Sequence, residues 1–400
     1  LCLRNNYLQT LALSVEEYRG LAAFPEHRAL IEALEHSGEL SRAVEFLPDD
    51  AALRARAQGG KGLTRPELAV LLAYAKNSVN AALLKTGVPD DPYLGRELYR
   101  YFPDRLTETF PDTVTAHRLR REVIATVLSN AMLNRGGPAF VHELSAATNA
   151  DAGQIAAAYA AARDVFGTTD LNREIDALDG VVPGRTQTML YAEVQALLRR
   201  EALWFLRHGK LDRGLGPLVE RYAAGVADVR LLLGNLVGAW LERHITGRTE
   251  RLETAGVGRD LARQFAELPV LALATDVVLV AERTGATVLE AAAAFFGVLE
   301  IFGLGRVIEE GTAIVLADRF DRMALDRALA NLARAQRDLT ADVLAMGEGD
   351  VDGRLDSWCN SRPEAITRAA TAVRDLTEGE MTVSRLSVAA GLLSDLARSA

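Results

Sequence analysis

Apolar residues recur along this chain at intervals of three and four. Between positions 226 and 245 they fall at Val226, Val229, Leu233, Leu236, Val237, Trp240, Leu241 and Ile245, which places one apolar stripe on one helix face. Leu190, Val194, Leu197 and Trp204 repeat the pattern in a neighbouring segment. Alanine-rich stretches such as Ile155 to Arg163 and Glu290 to Phe296 are strong helix formers, and their small faces let helices pack closely. No alternating set of apolar and polar positions marks a strand, and no strand–helix–strand rhythm appears. The pattern predicts an all-α protein, a multi-helix array without a Rossmann sheet.

Start and stop signals agree. Thr64-Arg65-Pro66-Glu67 reads as a capping box, with Pro66 in the first turn where a missing N–H costs little. Thr287 with Glu290 is a second box, and Asp151 with Gln154 an acidic variant. Breaks are expected at 58–62, 87–92, 134–138, 179–184 and 347–353, all rich in Gly, Pro or Asp.

The chain also repeats itself. Thr148-Asn149-Ala150-Asp151 through Tyr159 aligns without gaps on Thr284-Gly285-Ala286-Thr287 through Phe295, 136 residues later. At the same offset Phe166-Gly167 meets Phe302-Gly303, Val141 meets Val277 and Leu203 meets Leu339. Duplication of one helical unit is expected, and two copies are too few for a solenoid. The breaks suggest three segments: residues 1–62, a helical core over 63–247, and a second helical unit over 248–400. The last ends in a more polar tail with short helices over 363–376 and 383–398.

Composition narrows the function classes. At 400 residues the chain has room for two or three domains, and 49% hydrophobic with 25% charged residues is an ordinary globular balance. The net charge of −9 supplies no basic footprint for nucleic acid, so no nucleic-acid partner is expected. No run reaches the length of a membrane helix, and the greasiest stretch, 268–305, is broken by Asp276, Glu282, Arg283 and Glu290. No membrane partner is therefore expected. Two distant cysteines, Cys2 and Cys359, form no CxxC and suit a reducing cytoplasm. The first residue is Leu1, and the opening has no signal-peptide order, so the chain is expected to be a piece of something longer.

Candidate chemistry is sparse. Gly59-Gly60-Lys61-Gly62-Leu63-Thr64 has the composition of a phosphate loop but the wrong spacing, and reads as a linker into the Thr64 cap. Gly303-Leu304-Gly305 lacks the third glycine of a dinucleotide fingerprint and reads as a helix exit. The six histidines (His27, His36, His117, His142, His208 and His244) form no ligand pair, so no metal is expected. Asp318 and Asp321 share a helix face, but Arg319 and Arg322 flank them as in a solvated charge ladder. Arg118, Arg120, Arg121 and Arg135 form a basic cluster with the Gly136-Gly137 loop, suited to a bound anion or, better, a charged interface. The segment from Leu63 to Lys76 is apolar nearly all round, so it is either central core or docked on a partner.

That same segment, Gly62-Leu63-Thr64-Arg65-Pro66-Glu67-Leu68-Ala69-Val70-Leu71-Leu72-Ala73-Tyr74-Ala75-Lys76, resembles the C-terminal part of the large bacterial NAD-specific glutamate dehydrogenases. Further landmarks follow in order: Asp90-Asp91-Pro92-Tyr93-Leu94, Tyr101-Phe102-Pro103, His117 to Glu122, Asn134-Arg135-Gly136-Gly137, and Ala158-Tyr159 with Arg163. The opening Leu3-Arg4-Asn5-Asn6-Tyr7-Leu8-Gln9 resembles the segment that follows the dehydrogenase catalytic region. The resemblance is strong to about Ile245 and looser to about Leu344.

The resemblance implies a parent enzyme that deaminates L-glutamate oxidatively to 2-oxoglutarate and ammonia with NAD, and an accessory helical region at its end. The family's substrate lysines, catalytic aspartate and nicotinamide fold have no counterpart here. No catalytic residue is carried over, and this chain alone is expected to bind no cofactor. The expected partner is the catalytic region of the same polypeptide, in a cytoplasmic homo-oligomer. Candidate interface residues are Thr64, Arg65, Glu67, Tyr74, Lys76, Arg118, Arg121, Asn134 and Arg135. A free-standing helical scaffold is the alternative, and an independent all-helical enzyme resting on the aspartate pair and the arginine cluster is a third.

Overall fold

A computed structural model of the chain describes residues 2–236, 238–312, 314, 319–347 and 349–398. Among them every regular element is a helix. The expectation of an all-α fold holds.

The chain divides into two compact units, residues 1–221 with 255–257, and residues 222–254 with 258–400. The first contains α1 (Cys2–Arg19), α2 (Phe24–His36), α3 (Arg42–Glu45), α4 (Asp50–Gln58), α5 (Arg65–Leu84), α6 (Glu97–Tyr101), α7 (Asp104–Thr109), α8 (Pro111–Thr115), α9 (Arg120–Gly136), α10 (Phe140–Thr148), α11 (Ala152–Val165), α12 (Thr168–Asp176) and α13 (Gly184–His208). Helix α14 (Leu215–Leu236) starts in this unit and runs into the second. The second unit continues with α15 (Ala239–Thr254), α16 (Arg259–Leu271), α17 (Ala274–Thr284), α18 (Val288–Ile301), α19 (Leu304–Thr312), α20 (Arg319–Leu344), α21 (Val351–Ser361), α22 (Pro363–Leu376) and α23 (Val383–Arg398). The units do not follow the segment boundaries read from the breaks: Gly62 lies in the loop before α5, and Gly247 lies inside α15.

In the first unit α5 packs on α9, α1, α2 and α11, and α13 packs on α11 and α1. Leu71, Leu83, Ile124, Leu128 and Phe205 are fully buried there. Helix α11 is buried almost throughout because five buried alanines among its seven let its neighbours close in from several sides. Tyr159 is sealed within it, its ring edge-on to Phe140 and its hydroxyl donating to Ala131 O at 3.1 Å. In the second unit α20 packs on α23, α18 and α17 around Phe295, Phe296, Phe302 and Trp358. A buried ion pair, Arg337 to Asp276 at 2.6 Å, ties α20 to α17.

All three capping boxes form, at Thr64, Asp151 and Thr287. The long stripe of 226–245 does not lie on one helix. It is divided between α14 and α15 at Gly238, where a Cβ would overlap the Glu300 carboxylate. Val237 and the side chain of Trp240 lie outside the described residues.

The 136-residue offset is visible in the helices themselves. It maps both ends of α11 onto those of α18, the start of α12 onto that of α19, and the last residues of α10 and α13 onto those of α17 and α20. It also maps the left-handed Asn149 onto Gly285 and Gly167 onto Gly303.

Candidate functional site

The described residues concentrate their buried polar chemistry where α9 ends, between α1, α12 and α13. Helix α9 stops at Asn134-Arg135-Gly136-Gly137. Gly137 sits at φ 88° and ψ 164°, a region open in practice to glycine alone. A Cβ there would overlap Gln195 Nε2 and Glu16 Oε1.

Glu16 on α1 is 2% exposed and His27 on α2 is 1% exposed, with His27 Nε2 at 2.7 Å from Glu16 Oε2. Glu16 also accepts from Gln195 Nε2 at 2.8 Å and from Arg19 at 3.2 Å. Arg19 donates to Glu26 at 2.6 Å, and Arg199 bridges Glu26 at 2.8 Å and Glu143. Four helices, α1, α2, α10 and α13, are thereby joined through one ionic network. Burial alone would raise the Glu16 carboxyl; the hydrogen bond from His27 and the charge of Arg19 outweigh it and hold the group below its ordinary value. At Glu26, Arg19 and Arg199 outweigh burial and hold the carboxyl at about 2. A network so fully paired fixes helix positions, and removing one member leaves a buried charge uncompensated.

Beside it Tyr7 and Tyr191 both donate to Asp176, and the Arg135 guanidinium lies 5.4 Å from the centre of the Tyr191 ring. A second ionic group surrounds Arg163, which reaches Glu97 and Asp164 at 2.8 Å each.

The sequence-derived candidates fall into separate places. The Thr64 amide donates to Glu67 Oε2 at 2.7 Å, and Arg56 pairs with Glu67, so this cap is structural. Arg65 reaches the Thr10 carbonyl and Glu17, and so fixes α5 to α1. Tyr74 donates to Glu45 at 2.6 Å. Lys76 is buried, its Nζ has no hydrogen-bond partner, and burial pushes it down to about 8. The large aliphatic side chains Leu63, Leu68, Leu71 and Leu72 of the Leu63–Lys76 segment are buried, Val70 and Tyr74 are half-buried, and Ala69 and Ala73 are exposed. Most of the apolar surface read there is therefore absorbed by this unit's own core.

The basic cluster is not one cluster. Arg121 donates to the carbonyls of Leu84 and Thr86 at the end of α5, and pairs with Asp90. Arg118 is exposed just before α9. Arg135 lies at the other end of that helix, about 21 Å away by helical rise. Asn134 donates to Asn5 at 3.3 Å. Sequence proximity suggested a cluster because it did not count the length of the intervening helix.

The bland readings of the glycine runs hold. Residues 59–62 form the turn between α4 and α5, and Gly303 turns the chain from α18 into α19. Asp318 lies outside the described residues, so its pairing with Asp321 is not seen. No group of three or more His, Cys, Asp or Glu side chains is placed to hold a metal among the described residues. No single helix there is long and apolar enough to cross a membrane.

The family model for the glutamate dehydrogenase C-terminal region matches residues 60–395. The chain belongs to this family. It is 34% identical over its whole length to an NAD-specific glutamate dehydrogenase of Pseudomonas aeruginosa, covering 25% of that protein. It is 34% identical over 360 residues to the Halomonas elongata enzyme of the same name, covering 22% of it. It is 25% identical over its whole length to that of Mycobacterium tuberculosis, again covering 25%. The chain thus spans about a quarter of the length of the curated relatives it matches. The ends of α5 and α9, first noted as landmarks of the resemblance, lie within the matched residues.

Proposed function

We propose that this chain is the C-terminal accessory helical region of an NAD-dependent glutamate dehydrogenase, packed against the catalytic region of the same polypeptide. The whole enzyme would convert L-glutamate to 2-oxoglutarate and ammonia with NAD, as a cytoplasmic homo-oligomer. The observation that carries this reading is the match of residues 60–395 to the family's C-terminal region, within relatives four times as long.

The surface offers a place for such packing. Residues 103–119 carry α7 and α8 with only the Val114 side chain buried, while Leu106, Phe110 and Leu119 are exposed next to Arg118. Phe46, at φ 54° and 91% exposed, and its neighbour Val44 add a second apolar edge. Apolar side chains rimmed by charge are what the core of an interface requires. The exposed parts of the earlier interface set, Thr64 and Arg118, adjoin these edges in sequence or lie on the same unit; Lys76, being buried, serves the core instead.

The test is NADH formation from glutamate and NAD by the purified chain, beside the Pseudomonas aeruginosa relative. Turnover by the relative alone supports an accessory role. Turnover by the isolated chain overturns it.

A further inference from the structure

Three buried amides surround a cavity of about 10 Å³ in the first unit. They are Asn134 at the end of α9, Asn172 on α12 and Gln195 on α13, each more than nine-tenths buried. The Asn172 Nδ2 donates to the Thr168 carbonyl at 2.6 Å, and the Gln195 Nε2 donates to the Glu16 carboxylate at 2.8 Å. Neither acceptor has a proton to give, so neither amide can turn over without setting oxygen against oxygen. Asn134 donates to Asn5 at 3.3 Å. The oxygens Asn134 Oδ1, Asn172 Oδ1 and Gln195 Oε1 are all buried without a hydrogen-bond partner. Orphaned buried acceptors are rare in native proteins because each costs stability. Here the three residues that carry them line one cavity.

We propose that this cavity is a built hydration site holding one ordered water, which donates to two of the three amide oxygens. The volume admits a single water and nothing larger. The lining offers acceptors to donate to. It also offers Arg135, which makes no ion pair among the described residues and lies over the Tyr191 ring. A water can accept from a guanidinium while donating to the amides; an ammonium or alkali cation of the same size would sit beside a like charge. The water therefore joins two of the helices that carry these amides, α9, α12 and α13, beneath the apolar Ala12 side chain of α1. It completes the polar floor on which the Glu16–His27 pair rests.

Three measurements on the full chain test this. A crystal structure that resolves bound waters should show one peak within hydrogen-bond distance of at least two of the three oxygens. An ordered but empty cavity, or amide oxygens turned onto protein donors, would overturn the proposal. The second measurement compares Ala12→Val and Ala12→Ser. Valine fills the space and displaces the water, so the unfolding midpoint should fall by several degrees and amide exchange should rise in α1. Serine brings a hydroxyl donor of nearly the water's size, so its midpoint should stay close to that of the parent chain. A raised midpoint for Ala12→Val is the behaviour of an empty hole being filled, and refutes the site. A midpoint that rises in ammonium chloride but not in sodium chloride at equal ionic strength assigns the occupant to ammonium, and overturns the assignment to water.

Discussion

Lys76 provides a sensitive test of how the core of the first unit is built. Its side chain is only 8% exposed, on a helix that packs against α9, α1, α2 and α11, and its Nζ has no acceptor. Desolvation alone lowers its pKa from 10.5 to about 8. The folded state therefore binds fewer protons than the unfolded state between those two values. The penalty is fully present below about pH 8 and disappears as the pH rises through about 10.5. A shift of this size corresponds to a penalty of about 3 kcal/mol at neutral pH. Replacing Lys76 by Met keeps the length and the apolar stem and removes the charge. The variant should be more stable at about pH 7 by 1–3 kcal/mol, the lower value allowing for imperfect packing of the thioether. Urea unfolding at about pH 7 and about pH 10 measures the difference, and amide exchange in α5 and α9 peptides assigns it to this unit. The reasoning is refuted if Lys76→Met is destabilising at neutral pH, or if its advantage does not shrink as the pH rises.

Further outcomes follow from the same structure. Gly137→Ala should cost about 2 kcal/mol or more in urea unfolding, since it forces a side chain into a glycine-only conformation and into Glu16 and Gln195. Arg199→Ala leaves Glu26 and Glu143 without their bridging cation and should cost about 3 kcal/mol, whereas Arg173→Ala, whose Asp170 pair is fully on the surface, should cost little by the same assay. The stability that Glu26 contributes is complete above its ordinary value of 4.5 and is lost as the pH falls toward about 2. Acid titration of the wild type should thus show a loss in that window that Glu26→Gln, destabilised throughout, does not show. Leu106→Ser with Phe110→Ser should leave the unfolding midpoint within about 0.5 kcal/mol of wild type, because both side chains are exposed, while weakening association with a dehydrogenase catalytic region in sedimentation.

Much of the fold was legible because helices announce themselves locally. The capping boxes at Thr64, Asp151 and Thr287 are four-residue signals, and each starts the helix it should. The 136-residue offset was legible because Asn149 and Gly285, or Gly167 and Gly303, occupy equivalent left-handed turns. Local patterns failed where distance mattered. The stripe over 226–245 kept its periodicity through Gly238, yet the helix does not continue there. The apolar excess of α5 was consistent with a partner surface or a core, and only the packing of α9, α1, α2 and α11 decides for the core. Nothing local marked Glu16, His27, Glu26, Glu143 and Arg199 as one network, because its members are brought together from four helices far apart in sequence. The three amides of the cavity were silent for the same reason: single Asn and Gln residues carry no pattern until their acceptors are known.

We propose above all an accessory role: this helical region serves a dehydrogenase without performing the chemistry. Its most direct test is to delete the matching segment from the Pseudomonas aeruginosa relative, follow glutamate-dependent NADH formation, and then add the purified segment back in trans. Activity that is lost on deletion, absent from the segment alone and restored by recombining the two is the predicted result. Undiminished activity in the deleted enzyme, or turnover by the segment by itself, would contradict it.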